Sequence, residues 1–452
     1  MEQHPNLRRK ATSAVNESPS ESTSDDTQAT TKAGLSRRVV VQGAAWSIPV
    51  IAAAVATPLA AASGDGALSF TLPAYAGTAC TEITNVQATL TNSSGAPDAG
   101  KPVTVTLSDG YTFADGSTTY TGTTDASGKV TLPAVRVPAT GGAASFVAAA
   151  GAVNASAPVS APKVTVAFRR QLSNGALLSF AAVPPGSTAI GDSAFLAPNG
   201  DLFFGNTVVA TGVSAAGAPV RFASNTAVMP FISSTGVASR WVQSTQQIQT
   251  FPNVPLGSTP LGDSSFRAPN GDLYFGNTLI ATETLSAGVP VRRSDDVSYT
   301  SFISSTGVAS RYRSSDGQIE SFTSVPADSV AIGDATFRAP NGDLWFGNTL
   351  VAAGTISAGV PIRFDSNVSA SSFISSAGVA SRWNSQTGQT QTFPNVPADA
   401  VAIGDAAFLT PDGDYWMGNT RVAVNVSSLG IPSRTAGDDA FTPYVVAPTC
   451  TW

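Results

Sequence analysis

An arginine followed by an aromatic ring recurs at Arg240-Trp241, Arg311-Tyr312 and Arg382-Trp383, with Thr451-Trp452 as a divergent fourth copy. A flat ring can stack on the C–H face of a sugar, and a neighbouring guanidinium can donate to its hydroxyls. Trp241, Tyr312, Trp383, Trp452, Arg240, Arg311 and Arg382 are therefore the ligand-binding candidates. Bulky rings at fixed spacing also fill the space between packed sheets, and that is their commoner use. A second arginine series, Arg221, Arg292 and Arg363, follows Val-Pro-Val or Val-Pro-Ile, or the bare Pro-Val of Ala-Pro-Val in the first copy; Arg434 follows Ile-Pro-Ser.

Carboxylates recur as well. Asp192, Asp263, Asp334 and Asp405 each follow Ile-Gly or Leu-Gly, and Asp201, Asp272, Asp343 and Asp414 each follow Asn-Gly or Asp-Gly. Two carboxylates can act as acid and base on a glycosidic bond, but a catalytic pair is normally unique. Fourfold repetition points instead to hydrogen bonding at turns and strand ends. Calcium would need a denser loop of oxygen ligands. Glu283 and Glu320 are the glutamates of the repeated region, and neither has a partner beside it in sequence. The single histidine is His4. It precedes an export signal, so a processed chain has no histidine for a Ser-His-Asp or Cys-His arrangement or for a metal site. No catalytic residue, metal ligand or cofactor is assigned.

The elements that must position these residues are repeats. APNGDLFFGN begins at Ala197, APNGDLYFGN at Ala268, APNGDLWFGN at Ala339 and TPDGDYWMGN at Thr410, 71 residues apart. FISSTGVASRW, FISSTGVASRY and FISSAGVASRW begin at Phe231, Phe302 and Phe373 with the same spacing. Aligning Phe195, Phe231, Phe266, Phe302, Phe337, Phe373, Phe408 and Phe441 divides the region into eight units of about 35 residues in two alternating flavours. Each unit holds about four short strands, and Asn-Gly or Asp-Gly dipeptides mark tight hairpin turns. Four strands repeated radially are the signature of a β-propeller. Residues 164–194 match only the second half of a unit and the C-terminal stretch only the first half, with Trp452 in the place of Trp241. Two halves at opposite ends predict a ring closed within one sheet, which removes exposed edges. Eight small blades are expected, with four larger ones as the alternative count.

Upstream, residues 1–62 read as an export signal: Arg37-Arg38, a short apolar core interrupted by Pro49, and Ala60-Ala61-Ala62-Ser63. The segment resembles the twin-arginine signals of high-GC Gram-positive bacteria, with Val40 where phenylalanine is usual. An uncleaved anchor is the alternative. Residues 66–147 alternate apolar and polar side chains in VQATLTNSSG and KPVTVTLSDG, as strands of a sandwich do. TLTNSSGAPDAGKPVTVTL, TTDASGKVTLPAV and GGAASFVAAAG resemble bacterial immunoglobulin-like domains of the invasin and intimin type, which implies a spacer. Residues 148–163 are rich in Ala, Ser and Pro and read as a linker; 164–452 are the closed repeat domain. Cys80 and Cys450 are the two cysteines, and in an oxidising compartment they are expected to pair or else to remain as two thiols.

The fold class expected is all-β: an immunoglobulin-like sandwich followed by a propeller-like ring. Charged residues make up 12% of the chain and its net charge is −6; without residues 1–62, eighteen cationic and twenty-five acidic side chains remain, net −7. That balance disfavours nucleic acid as a partner. The functional expectation is a secreted or wall-associated binding protein that recognises a glycan or a surface component and is not an integral membrane protein after cleavage. The alternatives are a polysaccharide-active hydrolase or lyase, or a passive structural protein of the surface.

Overall fold

The structure is a computed structural model that describes residues 66–364, 368–434 and 439–452. The expected export signal lies outside the described residues. The described residues contain strands, turns and bends and no helix. They belong to one compact unit, Gly64–Trp452.

Residues 67–161 form three small sheets around one core. The largest holds Tyr75–Ala76, Val153–Ala161, Gly142–Ala150, Pro102–Thr106 and Thr119–Thr123 in that order. Val86, Ala88, Leu90, Val103, Val105, Leu107, Val130 and Leu132 all face that core and are buried, as the two-residue alternation predicts. The expected linker at 148–163 is corrected. Gly142–Ala150 and Val153–Ala161 pair along nine residues, with Phe146, Ala148, Ala157, Val159 and Ala161 buried on one face. The side chains are so small that their alternation resembles linker composition, yet they cover the core as well as larger ones.

From residue 167 onward the chain builds eight sheets. Residues 188–210, 259–281, 330–352 and 401–423 each form a four-stranded antiparallel sheet. Residues 213–250, 286–322 and 357–393 each form a sheet of five, because a two-residue inner strand such as Val220–Arg221 pairs beside the first strand. The eighth sheet unites both ends of the region: Ala167–Gln171 and Leu177–Phe180 join Val426–Leu429, Ser433–Arg434 and Ala440–Val446. The junction is the pairing of Ala167–Gln171 with Ala440–Val446, with Phe168 opposite Tyr444 and Arg169 opposite Pro443. The ends therefore share one sheet, as the split repeat requires.

This register changes the alignment of the last unit. Phe231, Phe302 and Phe373 pair with Ser239, Ser310 and Ser381, and their counterpart is Tyr444 opposite Phe168, not Phe441. Trp241 lies opposite Met229, and its counterpart is Arg170 opposite Thr442. Trp452 does not occupy that place. It lies beyond the last strand, 53% exposed, with Arg136 Cζ 5.2 Å above its ring.

The hairpins also differ from expectation. At Ala197-Pro198-Asn199-Gly200, Gly200 N–H donates to Ala197 O and Ala197 N–H to Asp201 O. Only the glycine has positive φ, at 83°. Proline fixes φ near −65° at the second turn position, so the turn is type I followed by a left-handed glycine rather than a two-residue primed turn.

Every sheet meets the next through an aromatic pair. Phe180–Phe195, Phe251–Phe266, Phe322–Phe337 and Phe393–Phe408 lie 5.4 to 5.7 Å apart. Phe204–Trp241, Phe275–Tyr312, Phe346–Trp383 and Tyr415–Tyr444 lie 4.9 to 5.8 Å apart.

Cys80 and Cys450 are joined in a disulfide. It ties the tail beyond the eighth sheet to the first domain. Cys450→Ser is expected to lower stability by about 2–4 kcal/mol. The midpoint of chemical unfolding measures this, and an unchanged midpoint would show that the tail bond does not constrain the chain.

Candidate functional site

Each four-stranded sheet begins with a strand ending in Gly-Asp. Gly191, Gly262, Gly333 and Gly404 form parallel bridges to Ile431, Ala218, Val289 and Val360, so each inner turn touches the inner segment of a neighbouring sheet. There is no room for a side chain here: a Cβ on Gly333 would lie 2.7 Å from Val289 O. The next residue turns left-handed, with φ of 51°, 51°, 46° and 48° at Asp192, Asp263, Asp334 and Asp405. Aspartate tolerates that conformation better than most residues.

The turn buries all four carboxylates completely. Each lies between two arginines from different sheets. Asp192 meets Arg169 at 3.4 Å and Arg221 at 2.7 Å. Asp263 meets Arg240 at 3.8 Å and Arg292 at 2.8 Å. Asp334 meets Arg311 at 2.9 Å and Arg363 at 2.7 Å. Asp405 meets Arg382 at 2.8 Å and Arg434 at 3.0 Å. In every case one arginine comes from the preceding sheet and one from the following sheet. Asp192, Asp263, Asp334 and Asp405 are thus the centres of buried ion triads, which corrects the expectation of simple turn and strand-end hydrogen bonding for this series, whereas Asp201, Asp272 and Asp343 accept the turn bonds expected of them. Burial by itself pushes the Asp334 carboxyl up; the Arg363 and Arg311 guanidiniums outweigh it and hold the group below its ordinary value.

Four segments ending in Arg221, Arg292, Arg363 and Arg434 line a central cavity of about 70 Å³ together with Pro219, Pro290, Pro361 and Pro432. These arginine side chains are 7 to 10% exposed. Arg292 Cζ lies 3.8 Å from the Phe222 ring centroid and Arg434 Cζ 3.4 Å from that of Phe364. The cavity is far below the roughly 300–1,000 Å³ of a typical ligand pocket, so the axis acts as a packed hub.

The sequence-derived candidates divide into three groups. Trp241, Tyr312 and Trp383 are 2%, 7% and 6% exposed and pack between sheets. Arg240, Arg311 and Arg382 belong to the triads. Trp452 stands apart at the first domain. Sequence reasoning missed Arg169, the fourth outer arginine, because its strand was not aligned with the ASRW segments; AFRR against ASRW carried the signal.

Larger openings lie outside the hub, one between sheets and one on the face of a single sheet. A cleft of about 580 Å³ is lined by Arg311, Glu320, Phe346, Asn348, Trp383 and the 385–388 turn. A second hollow of about 250 Å³ is lined by Tyr299, Arg311, Arg313, Gln318 and Glu320. Arg311 and Glu320 border both, joined by a 2.6 Å ion pair. Asn348 Oδ1 accepts from Ser324 N–H at 3.0 Å, which leaves its amide N–H groups for another partner. The arrangement offers aromatic edges, donors and a carboxylate acceptor at one opening.

Asp334→Ala would leave two guanidiniums facing a void and is expected to cost about 3–5 kcal/mol; a loss below 1 kcal/mol in denaturant unfolding would contradict the triad's role. Because the folded carboxyl has a lowered pKa, its stabilising contribution is complete above the unfolded aspartate value of about 4 and is lost as pH falls through the lower folded value. Acid unfolding followed by tryptophan fluorescence should therefore show a transition below about pH 4 that is reduced in Asp334→Asn.

No known family and no curated protein matches the sequence. Among solved structures the chain is similar to β-propeller proteins. AofleA from Arthrobotrys oligospora is 13% identical, with a TM-score of 0.30 over 64% of this chain and 95% of that one. The Aleuria aurantia lectin, described as a six-bladed β-propeller with a novel fucose recognition mode, is 10% identical, with a TM-score of 0.24 over 57% and 96%. An oligogalacturonate lyase from Vibrio parahaemolyticus is 9% identical, with a TM-score of 0.33 over 63% and 98%.

Proposed function

We propose that this chain is an exported glycan-binding protein of the cell surface or its surroundings. In this reading the eight sheets are the blades of an eight-bladed propeller, and residues 66–161 are an immunoglobulin-type spacer. The observation that carries the binding role is the 580 Å³ cleft, which falls within the volume range of ligand pockets. The edges of Phe346 and Trp383 give it an apolar wall, and its amide, hydroxyl and charged groups suit sugar hydroxyls. Export through the twin-arginine route rests on Arg37 and Arg38.

Purified protein on a glycan array should bind a defined set of polysaccharides. Asn348→Ala and Gln386→Ala should each weaken binding by about 5- to 10-fold, the value of one hydrogen bond. Trp383→Ala is a poorer probe, since emptying that buried site costs about 3–5 kcal/mol of fold stability. An array with no specific signal would count against glycan binding. Conversion of Arg37 and Arg38 together to lysine should leave the unprocessed chain inside the cell in a fractionation experiment; continued export would remove the twin-arginine assignment.

A further inference from the structure

The fourfold repeat generates four equivalent inter-sheet grooves, but their chemistry is not equivalent. The outer arginine is common to all four, as Arg169, Arg240, Arg311 and Arg382. The residue opposite it on the neighbouring edge strand is Leu178, Gln249, Glu320 and Gln391 in turn. The facing aromatic pair is Phe204–Trp241, Phe275–Tyr312 and Phe346–Trp383 in the first three grooves, and in the last the corresponding places hold Met417 and Arg170. Only the third groove places a carboxylate opposite its outer arginine; the second carries Asp316 where the third has Thr387, and that carboxylate is paired with Arg313.

The Glu320 carboxylate is placed for a ligand. The Glu320 side chain is 58% exposed although it is ion-paired, whereas Arg311 is 17% exposed. Arg311 is held from the other side by Asp334, so the guanidinium fixes the glutamate while the remaining carboxylate lone pairs face solvent. Two neighbouring hydroxyls of a pyranose can engage the pair together, one donating to the carboxylate and the other accepting from the adjacent arginine. The 580 Å³ and 250 Å³ hollows meet at this same pair, so an occupant longer than one sugar can lie across it.

We propose that the groove bordered by Arg311, Glu320, Asn348 and Trp383 is the single high-affinity site among the four, and that it takes a neutral oligosaccharide whose sugar bears adjacent free hydroxyls. This rests on the glycan-binding reading and sharpens it from repeated weak sites to one. Calorimetry of the full secreted protein with maltotriose, mannotriose and galactotriose is expected to give one bound oligosaccharide per chain for at least one of them. Glu320→Gln should weaken that binding by about tenfold or more, as loss of hydrogen bonds to a charged group does, with an unchanged melting temperature. Gln249→Ala and Gln391→Ala should leave the affinity unchanged. Three or four bound ligands per chain, or equal sensitivity to Gln391→Ala and Glu320→Gln, overturns the single groove while glycan binding stands. Failure of the unaltered protein to bind any of these sugars, or any array glycan, removes both.

Discussion

A buried aspartate between two arginines is the constraint on which the ring depends. Each of the four carboxylates lies in a turn with no exposure, and a lone charge there would be strongly unfavourable. Its two guanidiniums come from the sheets on either side. Three successive sheets must therefore sit in one relative position before the charge is satisfied. Because sheets two, four and six each supply an outer arginine to the next triad and an inner arginine to the previous one, the four triads form a continuous chain of ion pairs. The eighth sheet completes it with Arg434 from its C-terminal part and Arg169 from its N-terminal part.

This explains why the repeat has two flavours. A four-stranded sheet supplies the Gly-Asp turn, and a five-stranded sheet supplies both arginines and the inner Pro-containing segment. Neither satisfies its own charges. The aromatic pairs at all eight junctions supply apolar contact, but rings can slide against each other more freely than a two-sided ion triad can. The triads fix orientation, and the rings fill volume.

The same repetition limits what the ring can do. Identical grooves would offer identical chemistry, so function has to come from departures from the repeat. The third groove has glutamate where the second and fourth have glutamine, each bonded to its outer arginine, and where the first has leucine. Leucine, glutamine and glutamate all serve there structurally, which frees the position for recognition.

Much of this architecture was legible in one dimension. The 71-residue spacing, the strand alternation and the division of one repeat between the two ends are local pattern, and they predicted eight units and a shared closing sheet. The repeated arginines and aspartates were visible too, but their meaning was not. A triad joins residues 23 and 29 positions apart across three sheets, as Arg311–Asp334–Arg363 does, and no local period reports which carboxylate a guanidinium will reach. The place of Trp452 was misread because its sequence position mimicked a repeat, whereas backbone pairing gave that place to Arg170. Residues 148–163 were misread because alanine and serine look alike in a linker and in a strand; only the neighbouring sheet decides between them. Local pattern set the elements and their number. Burial and charge compensation, which exist only once the ring is assembled, decided which side chains hold it together and which are left to meet a ligand.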